Sequence, residues 1–307
     1  MNFKISFVIP CYNGGKYILN LLSQLVSIES NSFEIIIVND GSKDDTLSTV
    51  SKWAKKYPFI NLIDQKNQGA SAARNNGVNS AQGEYICFLD CDDAIIAENY
   101  TTILEQIDND DLYLYNVKKN TDGKVYSYIE QTDGYSNKEA LISSNQFVNA
   151  PWGKIIKRTL INENNLFFNT DLKVSEDLLW SVQLLHACQT IKTMNIDFYI
   201  YKTDNVTSTT NSINSTKLEG LWKALTYTVD WCDVNKCSTA CYGVCSYHYM
   251  MNCAYCYKEY DKYISYYHNY KYLLKYSLNK RVSFVNVLSK IIGLKLTSLF
   301  LYKYLMR

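Results

Sequence analysis

Proline is scarce in this 307-residue chain, with three in all and none after Pro151. Nothing of that kind interrupts long helices in the second half. No Gly-x-Gly-x-x-Gly follows the first apolar run, which argues against a dinucleotide enzyme. An apolar leader pattern is missing as well. Met1 to Lys4 runs straight into the strand-like Ile5–Pro10, so a cytoplasmic protein is expected. In that compartment the ten cysteines are free thiols rather than a disulfide framework. The most apolar stretch, Val282 to Met306, is broken by Lys290, Lys295 and Lys303, which speaks against a membrane-spanning helix.

Net charge is nearly absent, at +1, and by itself names no partner. Its distribution says more. From Lys258 to Arg307 ten Lys/Arg stand against two Asp/Glu, a local +8 that leaves −7 on the rest of the chain. Such a tail points to an anionic surface, membrane or nucleic acid. A basic amphipathic helix lying on an anionic inner leaflet suits Val282 to Met306, with packing on the preceding domain or in a dimer interface as the alternative.

What is present in the first half is an alternation of strands and helices. Ile5–Pro10, Glu34–Val38, Ile60–Ile63 and Tyr85–Leu89 are short apolar runs. Between them, Lys16 to Ile28 carries apolar residues on one helical face. Ser42-Lys43-Asp44-Asp45, with capping-box spacing, opens a second helix, and Gly69 to Ser80 is a third. This βαβαβαβ order implies an α/β fold with a mainly parallel sheet covered by helices on both faces. Further on, Leu112–Val117 and Val125–Ile129 read as strands around the turn Thr121-Asp122-Gly123, Ser175 to Cys188 as a helix, and Ile191–Tyr201 as a strand. From about Ser215 the pattern is helical. A boundary falls near Ser212, in the polar stretch Thr207 to Thr216, and separates a domain over 1–212 from a helical region over 213–307.

In open α/β sheets, ligands bind outside the carboxyl ends of the strands. Three such ends are polar: Pro10-Cys11-Tyr12-Asn13-Gly14-Gly15, Asn39-Asp40-Gly41-Ser42 and Asp90-Cys91-Asp92-Asp93. Like charges as close as Asp90, Asp92 and Asp93 repel unless a cation or hydrogen bonds offset them. Carboxylate oxygens suit Mg²⁺ or Mn²⁺, which often bind through one or two carboxylates plus substrate phosphates.

Phe7-Val8-Ile9-Pro10-Cys11-Tyr12-Asn13, Val38-Asn39-Asp40-Gly41-Ser42-x-Asp44-x-Thr46, Gln68-Gly69-x-x-x-Ala73-Arg74-Asn75 and Phe88-Leu89-Asp90-x-Asp92-Asp93 resemble the four signature blocks of family 2 glycosyltransferases with a GT-A fold, in the family's order and spacing. The match covers about residues 3–205. The resemblance implies a nucleotide-binding half over about 1–117 and an acceptor half over about 118–212. It also implies a divalent metal, Mn²⁺ or Mg²⁺, and a nucleotide-diphosphate sugar, a UDP-sugar if the base is uracil. Pro10, Tyr12, Asn13 and Gly69 would line the nucleotide pocket with Cys91, Asp40 would hydrogen-bond the base, and Arg74 would approach the diphosphate or sugar, with a surface salt bridge as its alternative. Asp90 would contact ribose or sugar hydroxyls, Asp92 would be the metal ligand, and Asp93 would lie toward the sugar.

In the family a Glu-Asp pair at a helix start supplies the catalytic base. Here that is Glu176-Asp177, with Asp177 taking the acceptor hydroxyl's proton during an inverting displacement. Ala150-Pro151-Trp152-Gly153-Lys154 resembles the segment before that block. Trp152 either stacks on a sugar or belongs to the core, and Lys202 stands where relatives carry an aromatic–basic element. The acceptor class implied is a glycan or lipid-linked oligosaccharide of a bacterial capsule, O-antigen or similar surface polysaccharide, with no nucleic acid involved and an oligomer allowed.

Two other readings stay open. A nucleotidyltransferase would need a Gly-rich, basic loop after strand one, of which Asn13-Gly14-Gly15-Lys16 is a poor version; a non-catalytic nucleotide-sugar-binding protein would not need the intact acids at Asp40, Asp90, Asp92 and Asp177. Finally, Cys237, Cys241 and Cys245 are spaced i, i+4, i+8, as one stripe on a helix, with Cys253-x-x-Cys256 and His248 nearby. Buried small hydrophobes are the reading preferred over a structural zinc.

Overall fold

A computed structural model describes residues 3–203 and 214–305, so the boundary expected near Ser212 lies outside the described residues. In chain order the elements are β1 (Ile5–Cys11), α1 (Gly15–Val26), β2 (Phe33–Asp40), α2 (Thr46–Lys56), β3 (Ile60–Gln65), α3 (Ala70–Ser80), β4 (Tyr85–Phe88), β5 (Ala94–Ile95), α4 (Tyr100–Gln106), β6 (Leu112–Thr121), β7 (Lys124–Ile129) and β8 (Gly134–Tyr135). There follow α5 (Lys138–Ser143), β9 (Lys154–Lys157), α6 (Arg158–Glu163), α7 (Glu176–Ala187), β10 (Ile191–Lys202), α8 (Ser215–Val234), α9 (Thr239–Tyr255), α10 (Ile264–Asn269) and α11 (Lys280–Leu305).

These elements fall into two compact units that interleave along the chain. Among the described residues, the first takes 3–136, 150–170 and 187–203, and the second takes 137–149, 171–186 and 214–305. The first unit is built on one sheet in the order β3-β2-β1-β4-β9-β6-β10-β5, with β7 beside β6 and β8 beside β10. Strands β3, β2, β1 and β4 run parallel, as the βα alternation requires. The β9 strand is antiparallel to both β4 and β6, while β10 returns parallel to β6.

Successive residues of β1 point to opposite faces. Val8 faces α3, where a Cβ built on Gly77 would lie 2.3 Å from its Cγ1. Phe7 faces α4, its ring 6.0 Å from that of Tyr100. Helices therefore cover both faces, and β2 is buried along its whole length, as its run of Ile and Val predicts.

The second unit is helical. Its last element, α11, is the only helix among the described residues long and apolar enough to cross a membrane by length and composition. Gly293, at φ 77° and ψ 166°, breaks it into two segments. A glycine thus makes an interruption that the scarcity of proline does not predict.

Candidate active site

The sheet order sets β1 between β2 and β4, all parallel, so three carboxyl ends open on one edge. Register places Cys11 level with Asn39, and Val8 level with Phe88, two residues before Asp90. The loops after β1 and β2 are tied together. Asn13, at φ 49°, donates its N–H to Ser42 Oγ (2.9 Å), and its Oδ1 accepts from the Lys43 N–H (2.8 Å). The Gly14 N–H donates to Thr46 Oγ1 (2.9 Å), and that of Gly15 to Asp44 Oδ2 (3.2 Å). Ser42 and Asp44 are therefore taken up by non-local bonds. The expected capping box does not form, and α2 starts at Thr46, whose N–H Asp44 accepts (3.0 Å).

Asp40 ends β2 almost fully buried. Its Oδ1 accepts from Gln65 Nε2 (2.7 Å) and the Gln68 N–H (2.8 Å), and its Oδ2 from the Gly69 N–H (2.8 Å). The residue expected to read a base thus also fixes the loop that opens α3. Gly41 beside it has φ +68°, and a Cβ there would lie 2.6 Å from the Asn67 nitrogen, so only glycine fits. Tyr12 is 47% exposed, and Pro10 is partly exposed.

On α3, Arg74 is buried, stacks its guanidinium over Phe168 (5.3 Å) and donates through Nη2 to Asp90 Oδ1 (3.2 Å). The acidic turn after β4 divides its carboxylates between two environments. Asp90 and Asp92 stay partly exposed, whereas Asp93 is buried. Asp93 accepts from the Lys202 N–H (2.7 Å) and from the Tyr199 hydroxyl. Burial, followed by the charge of Asp90, pushes the Asp93 carboxyl up to about 8. Cys91 turns under the loop against Cys11, and that thiol contact, with burial, raises it well above the ordinary thiol range.

Of the second group of expected contacts, Trp152 is buried and stacked on Tyr199 (5.4 Å, 15°) and Tyr201 (5.4 Å, 24°), which makes it part of an aromatic core. Lys202 meets Asp93 through its backbone N–H. Glu176 and Asp177 belong to the second unit, where they form the partly exposed first turn of α7 after Ser175 at φ 53°. A helix N-terminus favours negative charge there.

One residue that the sequence does not single out is Tyr199. It is fully buried on β10, donates its hydroxyl to Asp93 and accepts the Asp90 N–H (3.3 Å), so it clamps both ends of the acidic turn. The strand expected over Ile191–Tyr201 includes Tyr199, but as one of 27 tyrosines it carries no further signal.

A hard-oxygen cation fits this turn. Asp92, partly exposed and next to the inward-facing Asp93, offers carboxylate oxygens at the carboxyl edge of parallel strands.

The sequence profile of "Glycosyl transferase family 2" matches residues 6–164. Over 197 residues the chain is 30% identical to "Uncharacterized glycosyltransferase YibD" of Escherichia coli (strain K12), covering 59% of this chain and 56% of that protein. It is also 30% identical, over 218 residues, to the "Cholesterol galactosyltransferase" of Borreliella burgdorferi, covering 64% and 59%. The chain thus spans less than two thirds of the length of these relatives. Among solved structures, S. aureus TarS 1-349 in complex with UDP-GlcNAc superposes with a TM-score of 0.71 at 19% identity, covering 98% of this chain and 89% of TarS 1-349, which shows the fold.

Proposed function

Because the chain belongs to glycosyl transferase family 2, we propose that it moves one sugar from a nucleotide-diphosphate donor, a UDP-sugar, to a hydroxyl of a glycan or lipid-linked acceptor. The observation that carries this reading is the division of the acidic turn, with Asp93 satisfied inside while Asp90 and Asp92 remain at the carboxyl edge of β4. The solved relative bound to UDP-GlcNAc supports a nucleotide-sugar donor.

In this reading Asp92 would hold Mn²⁺ or Mg²⁺, which would supply positive charge to offset that of the departing nucleoside diphosphate. Arg74 adds a fixed guanidinium beside Asp90, a geometry suited to phosphate oxygens. Tyr12 and Pro10 flank the base, and the Asp40-anchored loop holds Gly69 at the start of α3. Asp177 accepts the acceptor hydroxyl's proton, and a single in-line displacement inverts the anomeric centre. The apolar stripe and lysines of α11 rest on an anionic inner leaflet, which brings the enzyme to a lipid-linked acceptor.

The test is incubation of the full chain with a panel of UDP-sugars and Mn²⁺. Slow, chelator-sensitive release of UDP supports the transferase, while pyrophosphate chemistry, or binding without turnover, sinks it. In the same assay Asp92→Asn loses metal-dependent turnover with its circular dichroism unchanged. Asp177→Asn keeps donor binding and loses transfer. Rates like the parent's in either variant count against the role assigned.

A further inference from the structure

The second unit brings sulfur and imidazole together at the ends of three helices. His186 stands in the last turn of α7, Cys237 in the turn between α8 and α9, and Cys241 in the first turn of α9. One ligand atom from each lies within 4.8 Å of the others. Cys237 therefore precedes α9 instead of continuing its stripe, which corrects the helical spacing read from sequence.

The backbone is bent to achieve this. Lys236 adopts φ 50°, a left-handed conformation uncommon for a residue with a side chain. The Cys237 N–H then donates back to the Cys232 carbonyl (3.0 Å), the six-to-one bond of a Schellman turn, but with lysine where glycine is usual. Cys237 is thereby folded over Cys232, which is fully buried in the last turn of α8 and whose thiol meets those of both Cys245 and Cys237.

The surroundings hold the group in place. The Ser238 hydroxyl donates to Cys241 Sγ (3.7 Å). Lys138 Nζ donates to the His186 carbonyl (3.1 Å), and its charge acts on the Cys241 thiol. The imidazole is packed edge-on against Trp231 (5.5 Å, 89°). Burial pushes Cys241 up to about 12, and burial with the neighbouring Cys232 does the same to Cys237. Without a cation these sulfurs stay protonated, and each disfavours ionisation of the next.

We propose that His186, Cys237 and Cys241, joined by the adjoining Cys232 as fourth ligand once its thiol turns away from Cys245, form a structural zinc site that pins the end of α7 to the turn between α8 and α9. A thiophilic, tetrahedral cation suits three sulfurs and one imidazole, and four protein ligands leave no open position for chemistry. The site is distinct in donor type from the carboxylate turn of the first unit, whose oxygens suit Mg²⁺ or Mn²⁺. Binding releases three thiol protons and involves no change of oxidation state. With Zn–S bonds near 2.3 Å, tetrahedral ligands sit about 3.8 Å apart, so the His186, Cys237 and Cys241 atoms, already within 4.8 Å of one another, close by side-chain rotation, and Cys232 joins by rotating its thiol.

The experiment uses the full chain, purified reduced, without a histidine tag or chelator. Elemental analysis should find one zinc per chain, retained through dialysis, and Co²⁺ exchange should give the intense visible absorption of a tetrahedral thiolate site. Cys237→Ser with Cys241→Ser should lose both signals. His186→Gln, a milder change, should weaken zinc retention at least tenfold against a competing chelator, so a misfolded double variant does not decide the matter. Asp92→Asn should leave the zinc content unchanged, which separates this site from the proposed reaction cation. A reduced chain that carries no zinc and gives no cobalt absorption overturns the proposal, as does a cysteine pair recovered as a disulfide in place of metal.

Discussion

Asp92 and Asp93 are neighbours in sequence and differ in surroundings. Asp93 is buried and bound by Tyr199 and the Lys202 backbone, while Asp92 keeps part of its surface in solvent. The turn thus uses one carboxylate to hold its shape and leaves another at the edge of the sheet. Tyr199 is the part of this device open to a clean test. Burial, then the charge of Asp93, pushes its phenol well above the ordinary range, so the hydroxyl stays a donor. Tyr199→Phe removes that donor with little change of shape. A buried acceptor that loses a partner costs about 1–3 kcal/mol, which should appear as a lower Tm. If Tyr199 positions the turn, the apparent constant for Mn²⁺ in the UDP-release assay should also rise about fivefold or more, the equivalent of roughly 1 kcal/mol. A Tm loss with an unchanged Mn²⁺ dependence would leave Tyr199 a packing residue only.

At the scale of elements, the parallel half of the sheet was legible because its signals are local. Runs such as Glu34–Val38 end in polar residues, and β1, β2 and β4 follow those runs closely. Where the sequence misleads, the deciding bond comes from elsewhere in the chain. The spacing of Ser42 to Asp45 fits a capping box, but the Asn13 and Gly15 N–H groups claim the side chains of Ser42 and Asp44. Cys237 fits a helical stripe, but the left-handed Lys236 closes α8 and α9 begins only at Thr239, which leaves Cys237 in the turn between them. Tyr199 could not be picked out, because its role depends on pairing between β10 and β5 that brings it beside the acidic turn. Helix α3 offers a test of non-local control. Gly77 lies in its interior, where alanine gains about 1 kcal/mol in helix propensity. A Cβ there would lie 2.3 Å from Val8 Cγ1 on β1, and overpacking of that kind costs about 1–3 kcal/mol. Gly77→Ala should therefore lower stability in urea denaturation. A stabilised variant would mean that α3 can lift from the sheet at no cost.

For the whole molecule, the separation of charge acquires a physical place. The basic excess beyond Lys258 lies in the second unit, and α11 carries Lys280, Arg281, Lys290, Lys295 and Lys303 with no acidic residue. The same helix exposes Phe284 (54%), Ile291 (73%), Leu296 (54%) and Tyr304 (67%). Phe284, Val287 and Ile291 are spaced to share one face before Gly293, and Leu296, Phe300 and Tyr304 one face after it. The break divides a helix that would otherwise have the length of a span. Neither segment, rising about 1.5 Å per residue, crosses a hydrocarbon layer of roughly 30 Å. Two short segments with apolar faces and lysines suit the plane of an interface, where each cation near an anionic leaflet contributes about 1 kcal/mol. The full chain should sediment with vesicles of phosphatidylcholine and phosphatidylglycerol, less so as salt rises, and not with phosphatidylcholine alone. Ile291→Glu with Phe300→Glu should abolish sedimentation while circular dichroism and UDP release from a soluble donor persist. If the parent chain ignores anionic vesicles, or binds neutral ones equally, the stripe has another occupant, and a concentration-dependent dimer in ultracentrifugation that the same pair of substitutions dissolves would identify it as a second copy of this chain.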